Sequence, residues 1–240
     1  MAETVLEGQV GIVTGASQGI GRAVALRLAG MGAAVVAAAR SQGRLQELVA
    51  DIEREGGRAL AVPTDVRSQE QVQALAQAAL RHFGRVDILV NNAGLGYFGA
   101  PLHELPLEAW TATMETNLRS VYFAIRALAP YFIQQRCGHI INVASLAAHN
   151  PLPGAAAYAA SKAALHHLTV SVAEELRGYG VRASLICPGS VDTDLADQLG
   201  QKDRRRMLRP EDIAHTVAML VTQAPQSFTS EVLMRPTLKP

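Results

Sequence analysis

The chain has 240 residues, 49% of them hydrophobic and 18% charged, with a formal net charge of +1. That length suffices for one large domain with a substantial core. The near-neutral charge gives no electrostatic argument for nucleic acid or an anionic membrane as partner. Cys137 and Cys187, the two cysteines, lie in or beside apolar runs and read as reduced thiols in or near the core. No disulfide framework and no metal cluster is expected. The N-terminal residues show no basic segment followed by an apolar stretch, and no apolar run reaches membrane-spanning length. A soluble cytoplasmic protein is the expectation.

Gln9 to Val13 is a short Val- and Ile-containing run that reads as a buried strand. Thr14-Gly15-Ala16-Ser17-Gln18-Gly19-Ile20-Gly21 follows at once, and Arg22 to Met31 has helical composition. Strand, glycine-rich turn and helix form the context a dinucleotide fingerprint needs. Gly15 allows the tight turn, Gly19 a close approach to a pyrophosphate, and Gly21 close packing of helix on strand. The helix N-terminus then offers free N–H groups to phosphates.

Ala33 to Ala39 is the second strand, and its end decides cofactor choice. A carboxylate there would bond a ribose 2′-hydroxyl. Ala39 stands at that point and Arg40 follows, a planar fork of donors suited to a 2′-phosphate. NADP(H) is therefore expected over NAD(H). Arg44 to Glu55 reads as an amphipathic helix stopped by Gly56-Gly57, and Ala59 to Val62 as a third strand. Asp65-Val66 comes next. Asp65 either bonds an adenine amino group or caps the next helix, and Ser68 with Gln71 three residues on already supplies a cap.

Gln69 to Phe83 is helical, and Val86 to Val90 is a strand ending in Asn91-Asn92-Ala93-Gly94. Leu107 to Phe132 reads as one long helix with Asn117 inside it. Asn competes with helix hydrogen bonds, so its place there is a local inconsistency of the kind found at functional positions. His139 to Val143 is a fifth strand with Ser145 just past its end. Val181 to Ile186 is a sixth, ending in Pro188-Gly189. The stretch around 190–208 reads as a polar, mobile substrate lid, with Arg204 to Arg206 in a solvated loop. Pro210 to about Val221 is a helix with Pro in its first turn, and Glu231 to Met234 a last strand.

Alternating strands and helices imply one α/β domain of Rossmann type over 1–240. Its doubly wound parallel sheet of about seven strands is covered by helices on both faces. Ligands of such sheets bind at the carboxyl ends of the strands. Gly15, Arg40, Asp65, Asn91, Ser145 and Pro188 all follow predicted strands and so converge on one edge. Tyr158-Ala159-Ala160-Ser161-Lys162 lies in the helix expected over Gly154 to Leu176. Positions four apart share a helix face, so the Lys162 ammonium is expected beside the Tyr158 phenol, lowering its pKa.

Together these motifs make the chain similar to the short-chain dehydrogenase/reductase family over nearly its whole length. Within that family it resembles the 3-oxoacyl-carrier-protein reductases of bacteria and related ketone reductases. Thr14 to Gly21 and Asn91 to Gly94 match two family segments. Asn117, Ser145, Tyr158 and Lys162 match its catalytic four, and Pro188-Gly189 with Thr193 matches a third segment. The resemblance implies hydride transfer between a nicotinamide and a carbonyl or alcohol carbon. Tyr158 would give the proton and Ser145 would hold the oxygen. Lys162 would bind the nicotinamide ribose, and Asn117 would hold a water leading to solvent. Cofactor contacts are implied for Gly15, Ser17, Gln18, Gly19, Ile20 and Gly21, and for Arg40, Asp65 and Val66. They are implied also for Asn91, Ala93 and Gly94, for Tyr158 and Lys162, and for Pro188, Gly189, Val191 and Thr193.

The substrate wall is expected from Tyr97, Phe98, Leu146 and Leu152. Its apolar character favours a hydrophobic ketone or 3-oxoacyl group, with an acyl carrier protein among the admissible partners. His149 stands in this region as a loop residue. No metal is expected. In the family, helices corresponding to 107–132 and 154–176 pair across a two-fold, so a homodimer or homotetramer is implied. Many such reductases carry a Gly-Gly pair after the last strand, where this chain has Arg235-Pro236. That departure bears on both the tetramer and the carrier protein. Two other readings compete: an NAD(P)-dependent secondary-alcohol dehydrogenase working oxidatively, and a non-catalytic nucleotide-sensing protein. The second has no need of an intact Ser, Tyr and Lys.

Overall fold

A computed structural model of the protein describes residues 4–198 and 203–240. Part of the expected lid, 199–202, lies outside the described residues. The strands are β1 (Val10–Thr14), β2 (Ala34–Ala39), β3 (Arg58–Pro63), β4 (Ile88–Asn91), β5 (Gly138–Val143), β6 (Val181–Pro188) and β7 (Glu231–Met234). They form one seven-stranded sheet in the order β3-β2-β1-β4-β5-β6-β7, every pair parallel. The helices are α1 (Gly19–Gly30), α2 (Gln42–Arg54), α3 (Gln69–Phe83), α4 (Leu107–Met114), α5 (Ser120–Gln135), α6 (Ala156–Leu176), α7 (Asp194–Asp197) and α8 (Pro210–Val221). None of the described helices is long and apolar enough to cross a membrane.

β1, β2, β4 and β5 are buried at every residue, which is why they read as continuous apolar runs and not as alternating ones. β3 and β7 are partly exposed, as sheet edges must be. Two apolar layers cover the sheet. Val24, Leu28, Leu45, Leu48, Ile213 and Val217 from α1, α2 and α8 pack on one face. Leu75, Ala79, Leu128, Phe132, Leu165 and Val172 from α3, α5 and α6 pack on the other. The strand order reverses direction between β1 and β4, and a crevice opens at their carboxyl ends.

Two expectations are corrected. The helix expected over Leu107 to Phe132 is not uniform: a π-helical turn at Glu115–Arg119 separates α4 from α5. Asn117 sits in that turn, and its side chain is hydrogen-bonded outward to another segment. Cys137 is exposed where a near-core position was expected, because it lies in the tight turn between α5 and β5; Cys187, in β6, is buried. The cap of α3 is at Ser68 as expected, its Oγ accepting from the Gln71 N–H at 3.2 Å. The Gln71 side chain, however, accepts from the Asp65 N–H at 2.8 Å.

Candidate active site

A cleft of about 1060 Å³ runs along the carboxyl ends of the strands, from the turn after β1 to the face of α6. Its first half is built by the turn into α1. Gly15 has a φ of +65°, which L side chains resist, and a Cβ on Gly21 would stand 2.3 Å from the Gly15 carbonyl oxygen. The fingerprint spacing is therefore a packing requirement of this turn. Thr14 locks the turn to the next strand: its Oγ1 accepts from the Asn92 and Ala93 N–H groups at 3.0 and 3.2 Å. The Asn92 amide donates back to the Thr14 carbonyl at 3.0 Å.

Gly15, Ser17, Gln18, Gly19 and Ile20 line the cleft, while Gly21 lies behind them in α1. Arg40 is exposed at the rim, and Ala39, Ser41 and Arg44 line the same end. The Arg44 guanidinium is hydrogen-bonded to the Gln18 side chain. Gln18 in turn donates to Asp194 of α7 at 2.9 Å. Asp65 and Val66 line the cleft too. Both Asp65 oxygens are held by Arg67, at 2.6 Å from Nη2 and 3.0 Å from Nε, which pulls the carboxyl below its usual range. Of the segment after β4, Asn92, Ala93 and Gly94 line the cleft. The Asn91 side chain is turned into the core, donating to Asn142 at 2.8 Å, and Asn142 donates to Thr169 of α6 at 2.8 Å.

The second half holds the expected catalytic group. Tyr158 and Lys162 share one face of α6, with Lys162 Nζ 5.7 Å from the Tyr158 ring centroid. Lys162 is buried and donates to the Val143 carbonyl of β5 at 2.9 Å. Ser145 follows β5 directly and fixes its own loop, its Oγ accepting from the Ala147 N–H at 3.1 Å. Asn117 is buried and reads both backbone groups of Leu95. Its Oδ1 accepts from the Leu95 N–H and its Nδ2 donates to the Leu95 carbonyl, each at 2.8 Å. Nδ2 also donates to Ser161 Oγ at 3.0 Å. The π-helical turn thus lets α4–α5 grip the loop after β4 and tie it to α6.

Tyr158 differs from expectation in its acidity. Burial raises the phenol above its ordinary range, and the hydrogen bond with Ser145 opposes this. Lys162 does not dominate because its ammonium is directed to the Val143 carbonyl. Burial pushes Lys162 itself down to about 8.

Phe98, Leu146 and Leu152 line the cleft, and Phe98 meets the Tyr158 ring edge-on at a centroid distance of 5.2 Å. Tyr97 is 44% exposed and lies outside the cleft lining. Pro188, Gly189, Val191 and Thr193 line it beyond β6, and α7 stands above them. The base of the lid is closed by Leu208, which donates its N–H to Ser190 at 2.9 Å and accepts from Asp192 at 2.8 Å. The C-terminal tail also enters: Arg235, Pro236, Leu238 and Lys239 line the cleft, with Pro236 packed on Gly189. Their place in the cleft was not expected, since an irregular tail carries no periodicity to reveal what it folds against. A continuous cleft from glycine turn to Tyr158, ringed by these donors, fits an extended dinucleotide.

Residues 9–204 match the short chain dehydrogenase family profile. An uncharacterised oxidoreductase of Staphylococcus aureus strain MW2 is 34% identical over 233 residues, 97% of this chain and 99% of that protein. The chain belongs to the short-chain dehydrogenase family. Among solved structures, this short-chain dehydrogenase is similar to a metagenomic short-chain oxidoreductase in complex with NADP. They share 46% identity and a TM-score of 0.87, covering 98% and 99% of the two chains. It is also similar to a 3-ketoacyl-(acyl-carrier-protein) reductase from Brucella melitensis complexed with NADH. There the identity is 34% and the TM-score 0.89, with coverage of 95% and 97%.

Proposed function

We propose that this short-chain dehydrogenase uses NADPH to reduce a hydrophobic ketone or 3-oxoacyl group to a secondary alcohol, with Tyr158 as proton donor. The observation that carries the reading is the convergence of Tyr158, Ser145 and Lys162 at the inner end of the cleft whose outer end carries Arg40. When bound, the reduced nicotinamide supplies the hydride. Tyr158 gives its phenolic proton to the carbonyl oxygen. A phenol held above its ordinary pKa is protonated at neutral pH, as a donor must be. Ser145 donates a hydrogen bond to the same oxygen and orients it. Lys162, held at the Val143 carbonyl, places a positive charge 5.7 Å from the Tyr158 ring and would hold the nicotinamide ribose when the cofactor is bound. Asn117 fixes Leu95 and so the wall beside the nicotinamide site.

Ala39 and Arg40 support NADP(H): at the end of β2, where a carboxylate would bond a ribose 2′-hydroxyl, Ala39 and the Arg40 guanidinium line the cleft instead. The apolar faces of Phe98, Leu146 and Leu152 support a hydrophobic substrate. Arg235 and Lys239 at the mouth suit an anionic carrier of the acyl group. A two-fold assembly through α4–α5 and α6 is supported by Leu107, Tyr122, Tyr131 and Val170, large apolar side chains left exposed on those helices.

Fluorescence titration with NADPH and NADH, on the wild type and Arg40→Ala, tests the cofactor edge. The reading predicts NADPH binding at least about tenfold tighter in the wild type, in keeping with charge-assisted phosphate contacts, and loss of that preference in the variant. Equal or tighter NADH binding would make Arg40 a bystander and favour oxidation of secondary alcohols with NAD.

A further inference from the structure

Three donor side chains from three separate segments meet beside the catalytic loop, outside the cleft lining. His149 is in the loop after β5, Cys187 is near the end of β6, and Glu231 opens β7. Glu231 Oε1 is 2.7 Å from His149 Nε2 and 3.4 Å from Cys187 Sγ, and Sγ is 4.0 Å from His149 Nε2. The other carboxylate oxygen, Oε2, is 3.7 Å from His166 Nε2 on α6. The His149 and His166 rings lie 4.8 Å apart.

We propose that His149, Cys187 and Glu231 form a binding site for one divalent transition metal of the zinc class. Bond lengths of zinc to nitrogen, oxygen and sulfur in tetrahedral geometry require donors about 3.4 to 3.6 Å apart. The three observed separations bracket that range. His149 and Glu231 need to part by about 0.7 Å and His149 to close on Cys187 by about 0.4 Å, within reach of side-chain rotation. The donor set is right in kind. Imidazole and thiolate select borderline metals over magnesium or calcium, and one thiolate plus one carboxylate balance a dication. The thiol proton leaves as the metal–sulfur bond forms.

The surroundings also fit. Cys187 is buried while His149 and Glu231 remain about 30% exposed, so the site has a fixed inner ligand and a route from solvent. His166 stands behind Glu231, its Nε2 3.7 Å from the second carboxylate oxygen, where a small approach would let it steady a metal-bound carboxylate. His149 lies in the loop that begins at Ser145, and Cys187 and Glu231 lie on β6 and β7. A metal here would therefore brace the loop that carries Ser145 against β6 and β7.

The test uses untagged protein stripped with a chelator and titrated with Zn²⁺ by calorimetry, then with Co²⁺ by absorption. One equivalent per chain should bind with a dissociation constant of about a micromolar or tighter, and Co²⁺ should show a thiolate charge-transfer band. Mg²⁺ should not bind. His149→Ala, at an exposed position, should weaken Zn²⁺ at least about tenfold, and Cys187→Ser should abolish the charge-transfer band. Zn²⁺ should raise the melting temperature of the wild type clearly more than that of His149→Ala at the same concentration. Absence of saturable Zn²⁺ binding, or undiminished binding in His149→Ala, would overturn the proposal. Metal binding is read directly, so neither result depends on which substrate the enzyme takes.

Discussion

Asn117 meets a demand that Ala or Leu at the same helical position could not. Its amide pairs with both backbone groups of Leu95, and the π-helical turn presents it at the depth required. Asn117→Ala removes the partners of the half-buried Leu95 peptide N–H and C=O. Each such loss costs about 1–3 kcal/mol, and urea unfolding should show destabilisation of that order. Unchanged stability would mean that the Leu95 segment is held by other contacts. The oddity of an Asn inside a helix was legible from sequence, since propensity alone marks it. What it binds was not, because Leu95 is distant in the chain and offers only backbone. Phenol acidity shows the same limit. The spacing of Tyr158 and Lys162 places them together, but only the third dimension shows Lys162 turned to Val143 and burial governing the phenol.

Between β5 and β6, the His139 imidazole is buried against Ser184, with Nε2 to Oγ at 2.8 Å. Ser184 gives its own proton to the Thr229 carbonyl at 2.6 Å, so Nε2 must be the protonated nitrogen. Nδ1 then has no partner among the described residues, and burial, with Arg182 adding to it, pushes the His139 pKa down to about 3. The folded value lies below the unfolded one, so between pH 6.5 and 3 the unfolded chain binds more protons. Stability from this group is whole above pH 6.5 and falls as pH drops toward 3. The limiting slope is about 1.4 kcal/mol per pH unit. Chemical denaturation across pH 4.5 to 7.5 should show a steeper loss of stability below pH 6.5 in the wild type than in His139→Leu. An equal slope in both would contradict the assignment. The β4–β5–α6 junction makes a related prediction. Asn142→Ala strands the Asn91 amide and removes the tie to Thr169, and should destabilise by about 1–3 kcal/mol in the same assay. Strands and helices of this layer were legible as unbroken apolar runs and helical composition. The polar chain inside it was not, because each member lies in a different element and none breaks an apolar pattern conspicuously.

At the scale of the whole molecule, a parallel sheet gathers every functional segment at one edge, and that edge could be read from the glycine turn, the Asn-Ala-Gly segment and the Pro-Gly pair. The tail and the His149–Cys187–Glu231 cluster could not, since they depend on where β7 and the residues after it dock. The exposed apolar side chains of α4, α5 and α6 make assembly a molecular-scale expectation. Light scattering should give at least twice the 25.5 kDa chain mass. Tyr122→Glu with Val170→Glu should shift the protein toward monomer, and a wild-type monomer would remove the argument. The central claim concerns the reaction itself, and one comparison tests it most directly: NADPH consumption with a hydrophobic ketone panel, by the wild type and Tyr158→Phe. The account predicts turnover in the wild type and a loss of at least about a hundredfold in the variant, the size of a general-acid contribution, with NADPH binding retained. Turnover in Tyr158→Phe close to that of the wild type would contradict it.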